Sequence, residues 1–287
     1  MNARDWLEKA KSEKFAIGAF NVDNLEIFKA VVAGAVAKKS PVMMEFSDGE
    51  VKFLELNNIV DLVKNAEEEY GINILLNLDH SPDQAKVEEA IEAGFELIHY
   101  DGSKTPYEEN VEICKAIVPK AHEKGLTVEG EIDHIAGSSN VHKEQITFDE
   151  IKEGFTKPEK AKEFVAETGV DIFAAFFGNV HGVYPVQPNI DIDLLKKISE
   201  ALPDTFLSMH GGSGISDSEV RQAIEIGKIV KINVNTEMRK AFREGLEKAL
   251  KENPDEYAVY KIMPDVIYGV QKVVEHKIDV FGSVNKV

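Results

Sequence analysis

In the stretch ILLNLDHSPDQAKVEEAIEAG, residues 74–94, an apolar run stops at Asp79-His80 and a helix pattern starts two residues later at Pro82. The run is apolar on both faces, as a strand covered on both sides must be. The segment after it has helical spacing and closes on Gly94, a residue suited to a left-handed cap. Buried strands do not ordinarily finish on a carboxylate and an imidazole side by side. The unit is therefore strand, polar end, helix.

The same unit recurs along the chain. Strands are predicted at 15–21 (FAIGAFN), 41–47 (PVMMEFS), 72–79 (INILLNLD), 96–101 (ELIHYD), 126–132 (LTVEGEI), 171–178 (DIFAAFFG), 205–210 (TFLSMH) and 228–234 (KIVKINV). Helix patterns follow nearly every one, including FLELNNIVDLVKNAEEEYG and TEMRKAFREGLEKALKEN, and several close on a cap glycine at Gly71, Gly94, Gly125, Gly169 and Gly227. Eight strands alternating with eight helices predict an α/β (β/α)8 barrel, the TIM barrel, as one domain over 1–287. An open doubly wound sheet fits less well, because no G-x-G-x-x-G follows the first strand. Residues 255–287 are expected to add a C-terminal helix at the barrel's outside or at a subunit contact.

Charge and composition narrow the function. A net charge of −18 disfavours nucleic acid, since a polyanion is repelled over most of such a surface. A small anionic substrate remains compatible if a metal, a helix N-terminus or a lysine supplies local positive potential. The apolar runs fall far short of the roughly 20 residues of a membrane span, and MNARDWLEKAKSEKF has no apolar signal core. The single cysteine, Cys114, sits in a helix pattern; a chain without internal disulfides fits a reduced, cytoplasmic setting.

Barrels place their chemistry at the C-terminal strand ends, and here every end is polar. In order they are Asn21, Ser47, Asp79-His80, Asp101, Glu129 with Glu131, His181 in GNVHG, His210 before GGSG, and Asn233-Val234-Asn235-Thr236. Three strand-end histidines, His80, His181 and His210, suggest a metal site, and zinc favours such nitrogen ligands with an open fourth position. The other histidines, at 99, 122, 134, 142 and 276, read as structural or solvated. HGGSG ahead of a helix start is either a plain turn or an anion cradle, and its place after the seventh strand favours phosphate. Asp79 either orients a ligand histidine or moves a proton to and from a substrate oxygen. Asp101, Glu129 and Glu131 are either structural acids or a second metal position.

Taken together, GAFN, SPVMMEFS, LDH, YDGS, VEGEI, GNVHGVY, HGGSG and KINVNTEM, in this order over nearly the whole chain, make it resemble the class II, metal-dependent ketose-bisphosphate aldolases. The resemblance implies zinc on His80, His181 and His210, with Asp101 and Glu131 at a second or displaced position. It implies Asp79 as the proton donor to the aldehyde oxygen. Asn21, Ser47, Gly182, Gly211, Gly212, Ser213, Asn233, Val234, Asn235 and Thr236 match substrate-contacting positions, some alongside a monovalent cation, Na+ or K+. A homodimer or homotetramer acting on a phosphorylated ketose in the cytoplasm, as in glycolysis, is the corresponding expectation.

The chain departs from the family pattern in three places. Asn77 stands where the family has His before LDH, EFSDGE replaces QFSNGG, and EIDHIAGSSNVHKE replaces the usual loop after the fifth strand, leaving Glu144 as the nearest candidate for its acid. Extra carboxylates at Glu45, Asp48 and Glu50 predict a weakened preference for a second phosphate at the mouth. Two rivals stand beside this reading: a phosphosugar-binding barrel without activity, and a Schiff-base aldolase using Lys231.

Overall fold

Asn2 accepts from the Asp5 backbone N–H while Asp5 accepts from that of Asn2, and this reciprocal cap starts α1 (Ala3–Glu13). The computed structural model describes residues 1–287, the side-chain surroundings of Gly227 excepted; the left-handed cap expected at Gly227 falls one residue later, on Lys228 at φ 58°. After α1 come β1 (Ile17–Asn21), α2 (Leu25–Lys38), β2 (Val42–Ser47), α3 (Asp48–Leu54), α4 (Leu56–Tyr70) and β3 (Ile74–Ser81). The chain continues through α5 (Gln84–Ala93), β4 (Leu97–Asp101), α6 (Tyr107–Glu123), β5 (Thr127–Glu131), β6 (Gly137–Val141), α7 (Phe148–Ile151) and α8 (Pro158–Thr168). It ends with β7 (Ile172–Ala174), β8 (His181–Val183), α9 (Ile192–Ala201), β9 (Phe206–Met209), α10 (Asp217–Gly227), β10 (Ile229–Val234), α11 (Thr236–Glu252) and α12 (Val259–Phe281).

Eight parallel strands close in the order β1-β10-β9-β7-β5-β4-β3-β2. This is the predicted (β/α)8 barrel. The charged N-terminal segment has a structural task. Trp6, Leu7 and Ala10 on one face of α1 pack against Ile17, Met43, Leu75, Leu97 and Val230, apolar residues of the strands' N-terminal halves, and plug that end. With the bottom filled by hydrophobic side chains, the polar strand ends are left to the other mouth.

Three elements differ from the sequence pattern. FLELNNIVDLVKNAEEEYG is not one helix: Ser47 and Glu50 start α3 earlier, and Glu55 at φ 68° breaks the path before α4. The ring's last place belongs to α12, which packs between α2 and α10, whereas α11 lies against α12 on the outside. The reason is burial: Val266, Val270, Val274 and Ile278 form an apolar stripe at helical spacing, while α11 buries only Thr236, Met238 and Ala249. Third, the segment after β5 contains a strand, β6, paired in parallel with β8 as a separate two-stranded sheet.

Among the expected caps, Gly71, Gly94 and Gly169 end their helices in the left-handed conformation, and Gly125 follows the end of α6 at φ 73°. Among the described residues, no helix is long and apolar enough to cross a membrane.

Candidate active site

A β-bulge explains the carboxylate–imidazole pair that ends β3. Leu78 pairs with Ile98 and Ser81 with Tyr100, so three steps along β3 match two along β4. The extra residue falls at Asp79-His80, opposite His99, and His80 takes φ 47°. In a regular strand two successive side chains face opposite ways. Here both Asp79 and His80 line the same cavity at the barrel mouth.

Around this bulge the imidazoles converge. The His80 ring lies 4.5 Å from His210, 4.6 Å from His99 and 5.1 Å from His181, centroid to centroid. His80 Nε2 and His210 Nδ1 face each other at 2.8 Å, a distance at which two lone pairs share either a proton or a cation. Ligand atoms from Asp79, His80, His99 and His210 all lie within 4.8 Å of one another, as do those of His80, Asp101 and Glu131. His181 sits edge-on to this group, 6.0 Å from the His210 ring, and belongs to β8 rather than to a barrel strand. His99, which the sequence pattern assigned to the structural or solvated histidines, is fully buried within the cluster. Its signal was available, because a histidine two residues before Asp101 on a strand shares that residue's facing.

The charge states suit a cation. Burial, with His80 alongside, lowers His210 well below the usual histidine range and brings His181 down to about 3. Both rings are therefore neutral, the form that ligates metals. Burial opposes ionisation of Asp79, but His80, His99, Lys231 and His210 hold its carboxyl well below the ordinary range. Burial also disfavours charge on His99, yet Glu129, Asp79 and Glu131 push it up to about 10. An imidazolium proton on Nδ1 would exclude the bond that this nitrogen accepts from the His80 N–H at 3.2 Å, and the geometry has the acceptor. The neutral His181 and His210 rings, the ionised Asp79 and the buried, unbonded Glu131 Oε2 fit a divalent cation. The carboxylates Asp79, Asp101 and Glu131, which against burial favour a positive charge on His80, would favour a cation there equally.

Beneath the mouth lies a fully buried polar ladder. Lys231 donates to Glu129 at 2.6 Å, Glu129 accepts from His210 Nε2 at 2.8 Å and from Ser208, and Lys231 stands 3.7 Å from Glu45. Asn77 donates to Glu45 at 3.1 Å. Burial and the Asp79 charge raise Glu45 well above the carboxylate range despite Lys231. Glu129 thus orients His210 instead of providing a separate metal position. Burial lowers Lys231, but Glu129, Glu45 and Asp79 more than restore its charge, and it does not line the cavity. A protonated, ion-paired lysine is no Schiff-base nucleophile.

The same geometry corrects the expectation of an acidic mouth. Glu45 is inside the barrel, Glu50 is buried against Arg239 and Asn21, and Asp48 pairs with Lys86 at 2.7 Å. None of the three lines the cavity, so the charge argument against a second phosphate falls away.

The cavity is lined by Asn21, Asp79, His80, Ser139, His181, Gly182, Gly211, Ser213, Asn233, Asn235 and Thr236. Asn21 and Asn233 grip the two Asp79 oxygens at 3.1 and 3.0 Å. Helix α11 starts at Thr236, so its N-terminal dipole points at the cavity, and Asn235 Oδ1 is buried there without a partner. Gly211, at φ 65°, lies against the Val180 carbonyl, where no side chain fits. Asp101 and Glu131 line the adjoining recess with His80 and His181. Ser47, Gly212 and Val234 are not brought to the cavity. Ser47 caps α3, the Gly212 N–H is spent on the Asn233 carbonyl, and Val234 faces the apolar core. Ser139, from β6, was missed because its strand was missed. Glu144 is exposed and away from the cavity.

Comparison with known proteins agrees with this geometry. The family model for class II fructose-bisphosphate aldolase matches residues 1–286. The chain belongs to the class II fructose-bisphosphate aldolase family. It is thus similar to enzymes that make and break carbon–carbon bonds as lyases. It is 36% identical to a fructose-bisphosphate aldolase of Streptococcus pneumoniae over all of this chain and 99% of that one. It is 34% identical to the sulfofructosephosphate aldolase of Alkalicoccus urumqiensis, over 100% and 98%. The crystal structure of the YdjI aldolase from Escherichia coli K12 superposes with a TM-score of 0.83 at 29% identity, covering 100% of this chain and 99% of that one. The class II aldolase fold and activity class are therefore settled, while relatives differ in the ketose they are named for.

Proposed function

We propose that this aldolase cleaves fructose 1,6-bisphosphate reversibly between C3 and C4, giving dihydroxyacetone phosphate and glyceraldehyde 3-phosphate, with zinc held by His80, His181 and His210. Asp101 and Glu131 offer a second or displaced position for the ion. When bound, the zinc supplies Lewis-acid polarisation of the substrate ketone. A sodium or potassium ion beside Gly182, Gly211 and Ser213 belongs to the same reading. Tagatose 1,6-bisphosphate and ketose 1-phosphates are the alternative substrates.

The observation that carries the reading is the Asp79 carboxylate, ionised, facing the cavity beside His80 and held by two asparagine amides. In cleavage it takes the C4 hydroxyl proton as the C4–O becomes carbonyl. The C3–C4 electron pair passes to the ketone half, which takes a proton from solvent at C3 and leaves as dihydroxyacetone phosphate. In condensation Asp79 returns the proton. The start of α11 and the glycine turn at Gly211 suit the 1-phosphate, because a helix N-terminus and a side-chain-free approach favour an anion. A sugar-binding barrel without activity has no use for a carboxylate so placed.

The test compares kcat/KM for fructose 1,6-bisphosphate, tagatose 1,6-bisphosphate and the matching 1-phosphates. Fructose 1,6-bisphosphate is expected to be the best of them. Turnover of none of these ketoses would contradict the proposal.

A further inference from the structure

His99 makes a contact that no strand ladder provides. The bulge on β3 withdraws the His80 backbone N–H from regular pairing with β4. That N–H donates instead to His99 Nδ1 at 3.2 Å. The φ of 47° at His80 is disfavoured for any residue with a Cβ, so something must hold it.

We propose that His99 is a positioning residue for the metal-binding His80: its Nδ1 captures the His80 backbone N–H and so fixes the left-handed turn that aims the His80 ring into the cluster. This rests on the metal site proposed above. A neutral ring that accepts at Nδ1 carries its proton on Nε2. That nitrogen faces Glu131 Oε2 at 3.3 Å, and neither atom has a hydrogen bond elsewhere. Nδ1 thus holds the backbone of one ligand, while Nε2 stands beside the Glu131 carboxylate without a hydrogen bond to it. With its Nδ1 lone pair engaged and its Nε2 protonated, His99 acts through His80 and does not bind the ion itself. The ring is fully buried, wedged between the His80 and His210 rings at 4.6 and 5.0 Å, so its orientation is fixed by packing.

Two substitutions separate the nitrogens. His99→Asn keeps an acceptor where Nδ1 stands, whereas His99→Gln keeps only a group where Nε2 stands. In metal-free protein, amide exchange of the His80 N–H is expected to stay slow in the wild type and in His99→Asn, and to become fast in His99→Gln. With Co2+ as the probe, His99→Gln is expected to bind about 10–100-fold more weakly, the usual cost of losing a group that orients a ligand. Its cobalt absorption bands should also shift, while His99→Asn stays close to the wild type in both respects. Equal His80 exchange in all three proteins would overturn the proposal, as would equal loss of Co2+ affinity in both variants. A wild type that binds no Co2+ would remove the metal reading itself, and His80 exchange would still decide the contact.

Discussion

Asn233 donates to Asp79 Oδ1 at 3.0 Å, so a residue of β10 fixes a residue of β3 across the barrel mouth. Asn21 holds the other oxygen at 3.1 Å from β1. The carboxylate is thereby fixed from two strands, held ionised by the charged and imidazole groups around it, and presented to the cavity, the geometry on which its proposed role in proton transfer rests.

Asp79→Ala is expected to lower turnover by roughly 10²–10⁴, the range for a group that moves a proton in the reaction. Metal content by elemental analysis should remain that of the wild type. A variant that lost its metal and regained the full rate on adding zinc would make Asp79 an orienting group only.

The Lys231–Glu129 pair is wholly buried, and Glu129 also holds His210. Lys231→Met leaves that carboxylate uncompensated and is expected to destabilise the fold by about 3–5 kcal/mol, as when one partner of a buried pair is removed. Chemical denaturation measures this. In the wild type, borohydride with substrate should trap no covalent adduct; a stable adduct on Lys231 would revive the Schiff-base route.

Much of this was legible in the sequence. Strand-end polarity and the repeated strand–helix unit gave the barrel, and Asp79, His80, Asn21, Asn233, Asn235 and Thr236 do meet in one cavity. The bulge was not legible, because register depends on how β3 meets β4, and only that register puts His99 opposite His80. Strand β6 was hidden for a different reason: GSSNV is exposed and polar, and it pairs only with another loop segment. Burial of Glu45 was equally invisible, since it depends on the register that sets Glu45 beside Asn77 and on Lys231 reaching it from β10.

Gly211→Ala puts a methyl group against the Val180 carbonyl at a φ of 65° that alanine resists. The turn next to His210 must shift. KM for the phosphorylated ketose is expected to rise by at least about tenfold, the factor that 1.4 kcal/mol of lost binding represents. An unchanged KM would separate this turn from phosphate binding.

Glu96 gives a stability handle remote from the chemistry. Burial, with the nearby Glu67 carboxylate, raises it from 4.5 to about 7. A raised carboxyl pKa means that the folded state binds the proton more tightly than the unfolded chain. Its stability contribution is therefore present below the unfolded value and lost as pH rises through the folded one. Glu96→Gln, which cannot ionise, should gain in Tm relative to the wild type between pH 5 and pH 8. A constant difference across that window would argue against the shift.

The most direct test of the account measures cleavage of fructose 1,6-bisphosphate by protein stripped with a chelator, before and after zinc is returned. The account predicts no turnover in the stripped protein and full recovery with zinc, with one tightly held ion per chain. Full turnover in a thoroughly metal-free preparation would contradict it.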